Sequence, residues 1–110
     1  MAGRTDHENG RDFAAVQGGD LHFVSGMGWL RWNGTLYEPA NGHELRAMAE
    51  FGEEIQKKAA AQGDEERRQA DWARGEKLRN QRGAEAALKF AALEPDVRRR
   101  VEQLDAELGQ

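Results

Sequence analysis

Six of the eight aromatic side chains fall within the first 51 residues, and the 59 that follow hold only Trp72 and Phe90. That asymmetry divides the chain into two kinds of structure. Up to about residue 42, glycine and aromatic residues dominate, which is the mixture of short strands and tight turns. From residue 43 onward Ala, Glu, Arg and Lys take over, the composition of helices. At 110 residues the two parts fit one domain rather than two, with a short helix and β-hairpin over 8–42 and a helical segment over 43–110. The expected fold class is α+β: a small antiparallel hairpin or three-stranded sheet against an array of four to five helices.

The counts also exclude. With no cysteine there is no disulfide, thiolate nucleophile, iron–sulfur cluster or Cys-type zinc site. No run approaches the ~18 apolar residues of a membrane helix, and residues 1–8 lack the apolar core of a secretory signal. A cytoplasmic protein with no membrane contact is expected. Leu, Ile, Val and Phe together number only 18, against 17 alanines. Alanine buries little surface per residue, so the core reads as thin and the expectation is marginal stability or reliance on a partner.

Residues 9–17 read as a short helix, with Phe13 and Val16 on one side and Gly18-Gly19 as its stop. Leu21-His22-Phe23-Val24 is a strand, Ser25-Gly26-Met27-Gly28 a turn, and Trp29-Leu30-Arg31-Trp32 a second strand. Asn33-Gly34 is the strongest short hairpin signal, because both central residues of a type I′ turn need positive φ. Thr35-Leu36-Tyr37-Glu38 returns and Pro39 ends the strand. Asn41 and Glu44 then have capping-box spacing, and Leu45, Met48, Ala49, Gly52, Ile55 and Ala59 keep helical periodicity to about Gln62. Asp64 caps a second helix whose large buried candidates are Trp72 and Leu78. A third, over about 81–93, buries Ala84, Ala87, Leu88 and Ala91, with Phe90 beside them. Pro95 sits where a helix can restart, and Val97, Val101, Leu104 and Leu108 form an apolar stripe from 96 to 108. Such a stripe docks on this domain or on a neighbour.

A two-residue turn at 33–34 sets Trp32 opposite Thr35, Arg31 opposite Leu36, Leu30 opposite Tyr37 and Trp29 opposite Glu38. By alternation, Leu30, Trp32 and Tyr37 share one face, and Trp29, Arg31, Leu36 and Glu38 the other. Trp29 beside Arg31 fits two readings. One is a half-exposed ring with a snorkelling arginine on a packed sheet; the other is a stacking-plus-phosphate platform for single-stranded nucleic acid. The basic residues divide in the same way. Arg74, Lys77, Arg79 and Arg82 face only Glu76 within their stretch, and Arg98-Arg99-Arg100 is a second cluster. They are either helix-surface charges paired with nearby acids, such as Asp71 for Arg74 and Glu102 for Arg98, or contacts to DNA phosphates.

Catalytic patterns are missing. Gly26-x-Gly28 and Gly18-Gly19 lack the spacing that wraps backbone N–H groups around phosphate and supplies a lysine. His7, His22 and His43 are not spaced as ligands on one helix face and read as surface or cap-adjacent residues. Glu53-Glu54 and Glu65-Glu66 read as solvated helix faces, and Ser25, the lone serine, has no evident partner. No catalytic residue, cofactor or metal is expected.

The run Gly26-Met27-Gly28-Trp29-Leu30-Arg31-Trp32-Asn33-Gly34-Thr35-Leu36-Tyr37 resembles a hairpin of phage and plasmid primase-helicases. There it belongs to the poxvirus-type primase-helicase N-terminal-like domain, whose pattern is Gly-x-Gly-Trp-x-x-Trp, then Asn or Asp, then Gly-x-x-Trp. Leu21-His22-Phe23-Val24 matches the strand before it, and Ala70-Asp71-Trp72-Ala73-Arg74 resembles that family's Trp-Ala helix. Tyr37 stands where the family usually has Trp, and Gly75-Glu76 where Ser and basic residues are common. The resemblance spans about residues 8–108. It implies a non-catalytic module preceding a superfamily 3 helicase, often with a primase upstream, in replication of a phage, prophage or plasmid. The implied partners are DNA, single-stranded or forked, and the helicase domain of the same polypeptide, so the chain is expected to be a segment of a longer protein. Two other functions remain open: an oligomerisation module without DNA contact, and a small stand-alone phage regulator.

Overall fold

The computed structural model describes residues 5–17, 20–100 and 102–103. Helix α1 (Asp6–Val16) begins three residues before the periodicity suggests, because Thr5 and Glu8 form a reciprocal capping box. The Thr5 hydroxyl accepts from the Glu8 N–H, and the Glu8 carboxylate accepts from the Thr5 N–H at 3.0 Å. Its inward stripe is Asn9, Gly10, Phe13 and Ala14; Val16 points to solvent.

Strands β1 (Leu21–Val24), β2 (Gly28–Trp32) and β3 (Tyr37–Pro39) form an antiparallel meander, as expected. Gly26 and Gly28, both at positive φ, close the first turn. The second turn differs from expectation. Trp32 pairs with Tyr37, Arg31 with Glu38 and Leu30 with Pro39. Only Gly34 there takes positive φ, and the Asn33 carboxamide oxygen accepts from the N–H groups of Thr35 (2.9 Å) and Leu36 (3.0 Å). An Asx turn thus replaces the type I′ turn and moves the pairing by two residues. A two-residue shift preserves side-chain alternation, so the faces stay as expected, except that Leu36 lies in the loop.

A fourth strand, β4 (Arg98–Arg99), extends the sheet to the order β3-β2-β1-β4 and runs parallel to β1. This corrects the helix expected from 96. The Val97 side chain is buried, and its carbonyl accepts from the Phe23 N–H (3.1 Å) and from His22 Nδ1 (3.2 Å). Val97 is therefore anchored to β1 and is no part of a helical stripe. Val101, Leu104 and Leu108 lie outside the described residues. His22, expected near the surface, is 2% exposed and sits against the Tyr37 ring.

The helices are α2 (His43–Ala60), α3 (Glu65–Arg79) and α4 (Gln81–Ala91). The N-cap of α2 is Gly42 rather than Asn41, and Glu44 reaches back to the Gly42 N–H. Asp64 caps α3 as expected, while Asn80 ends α3 and caps α4 through its side chain. Close approach between helices depends on glycine. A Cβ at Gly75 would stand 2.5 Å from the Gly52 carbonyl oxygen, and one at Gly10 2.5 Å from that of Ala87. Where backbones approach this closely, small residues are what packing requires.

The main core joins Phe13, Leu21, Met48, Leu78 and Leu88 with four alanines, 40, 84, 87 and 91. Trp29, Leu45, Phe51 and Ile55 pack against it. The small apolar count thus reflects close helix packing. Trp72 corrects a further expectation: it is 50% exposed, while Leu78 is buried as expected and Gly75 is buried beside it.

Candidate nucleic-acid interface

The sheet register creates a row across three strands. Trp29 on β2 lies opposite Phe23 on β1, and Phe23 lies opposite Arg98 on β4. Side chains directly opposite share a face, so all three stand together on the side that faces the helices. The Phe23 and Trp29 rings meet edge to face at 5.6 Å, and the Arg98 guanidinium lies 6.0 Å from the Phe23 ring centre.

Opposite this row, α4 presents Arg82, Glu85 and Lys89, spaced by three and four residues so that they share one face. Glu44 and Leu45 at the start of α2 complete the walls, with Leu93 at the lip. The result is a half-open groove of about 710 Å³, within the range of ligand sites. It gathers three of the residues nominated from sequence: Trp29, Arg82 and Arg98. Two others were missed. Phe23 joins the groove because the three-residue turn sets it across from Trp29, and Lys89 because it stands two helical turns after Arg82 on the same face.

Ion pairing sorts the basic residues sharply. Arg74 is a structural residue with a 12% exposed side chain. It donates to Asp12 (2.9 Å) and Asn9 (2.6 Å) and lies over the Phe51 ring. Its partner is Asp12 on α1, not the expected Asp71. Lys77 pairs with Asp6 at 2.9 Å, and Arg79 donates to Gln56 at 2.9 Å with Glu76 at 3.8 Å. Arg31 faces Glu38 at 3.9 Å and lines a separate, smaller depression with Arg46 and Glu50. Arg99 donates to the Pro95 and Arg98 carbonyls, and Arg100 is exposed. Arg82, Lys89 and Arg98, by contrast, have no carboxylate within ion-pair distance among the described residues; Glu102 does not pair with Arg98.

The groove therefore offers two aromatic rings and three cations that no described carboxylate neutralises. Each of its carboxylates accepts one local hydrogen bond, Glu44 from the Gly42 N–H and Glu85 from the Gln81 amide, and keeps further acceptor sites. Among the described residues no group of three or more His, Asp or Glu is placed to hold a metal ion. No described helix is long and apolar enough to cross a membrane. No family profile, curated protein or solved structure matches the chain.

Proposed function

We propose that this chain is a non-catalytic, nucleic-acid-binding module, and that it serves a phage or plasmid primase-helicase. The observation that carries the first part is the coincidence of Arg82, Lys89 and Arg98, all without ion pairs among the described residues, with the Phe23–Trp29 ring pair in one groove. Rings that can stack on bases, beside cations that can meet phosphates, are the elements of nucleic-acid grooves. The second part rests on the Gly-x-Gly-Trp-x-x-Trp-Asn-Gly hairpin and the helix order that follows it.

A DNA titration tests the binding. Arg82 and Lys89 are exposed, so Arg82→Ala/Lys89→Ala keeps the fold while removing two phosphate contacts. Binding of a single-stranded oligonucleotide should weaken with added salt, and less steeply in the variant. Identical affinity and salt dependence in wild type and variant would count against the proposal. The assembly alternative has an observation of its own, since half-exposed Trp72 stands beside Ala60 and Ala73. A concentration-dependent oligomer lost in Trp72→Ala, without DNA binding, would favour it.

A further inference from the structure

Resting on the nucleic-acid reading above, we infer that the groove reads unpaired bases and that duplex DNA is not its ligand. The charge available is small. Three cations are unpaired among the described residues, and Glu44 and Glu85 stand in the same walls. At about 0.7 per phosphate, three contacts give a single-strand salt slope no steeper than about −2, whereas proteins held by the backbone make about six to ten such contacts. Phosphates alone cannot carry useful affinity here, so the aromatic row must.

That row is recessed. Trp29 is half-buried at the edge of the core, and the Phe23 ring already meets Trp29 edge to face and has Arg98 above it. A base reaches these rings only by entering the groove between the sheet and α4. In a duplex each base face is covered by its neighbours, so the base must first leave the stack. An unpaired base enters without that cost. Glu44 and Glu85, repulsive to a continuous backbone, are acceptors for the N–H donors on a base edge.

Fluorescence anisotropy with three labelled probes of equal length tests this: a mixed-sequence single strand, a strand whose central nucleotides are abasic, and a blunt duplex. The base-bearing strand should bind about tenfold or more tighter than either of the others, with a log–log salt slope no steeper than about −2. Equal binding of base-bearing and abasic strands, or tighter binding of the duplex, overturns the inference and leaves a backbone-binding module. Failure of all three to bind overturns the nucleic-acid reading as well. In Arg82→Ala/Lys89→Ala both single strands should weaken while the preference for bases persists; a preference that vanishes with those cations also overturns the inference.

Discussion

At Gly75 the α2 and α3 backbones come close enough that a single methyl group decides the packing. A Cβ there would meet the Gly52 carbonyl oxygen at 2.5 Å and the Gln56 side chain at 2.6 Å, and Gln56 is itself fixed by bonds to Trp72, Glu76 and Arg79. Gly75→Ala should cost about 2–3 kcal/mol, a fall in Tm of about 10 °C or more in thermal denaturation. Gly63, with open space around its Cβ position, provides the control: alanine there should change stability by no more than about 1 kcal/mol. Arg74 is the second decisive residue. Arg74→Ala removes the bonds to Asp12 and Asn9 and the contact with Phe51. The expected loss is about 2–3 kcal/mol by urea denaturation, below the range for a fully buried pair because Asp12 keeps a third of its side chain in water. Folded Arg74→Ala protein should bind nucleic acid as wild type does.

Among the elements, α3 shows how far sequence reading extends. Its cap at Asp64 and its buried Leu78 were legible, one from side-chain chemistry and the other from periodicity. Trp72 was not. Six residues separate it from Leu78, about 120° around the helix axis, so both cannot face one narrow contact. Backbone approach at Gly52 and Gly75 settles which side turns inward, and Trp72 is left half in water. Trp72→Ala should therefore cost less than about 1 kcal/mol, whereas Leu78→Ala, at a fully buried site, should cost about 2–5 kcal/mol. Chemical denaturation of the two variants side by side checks the contrast. The hairpin faces survived an error in register because alternation has a period of two. Strand β4 was hidden for a different reason. It is two arginines long, and Val97 happens to stand four residues before Val101, as it would on a helix. The parallel pairing of Arg98 and Arg99 with Phe23 and Val24, and the Val97 carbonyl accepting from both Phe23 and His22, show that the segment belongs to the sheet.

Across the whole molecule, charge and apolar content both have to be read after folding. A net charge of −4 argues against a nucleic-acid partner, yet Asp12, Asp6 and Glu76 are spent on Arg74, Lys77 and Arg79. Among the described residues that leaves Arg82, Lys89 and Arg98 unneutralised around two aromatic rings. Of the basic residues in the sequence run, Arg82 lines the groove while Arg74 is taken up by α1, a pairing hidden in the sequence because Asn9 and Asp12 lie about sixty residues away in the chain. The most direct test of the groove uses the three tryptophans as reporters, since each contributes one indole N–H resonance. On titration with a single-stranded oligonucleotide, the Trp29 resonance should move progressively to saturation. Those of Trp32, on the opposite face of the sheet, and Trp72, on α3, should stay in place. Movement of Trp72 with Trp29 unchanged, or no movement of Trp29 under conditions where the strand is bound, would contradict the assignment of this groove as the nucleic-acid site.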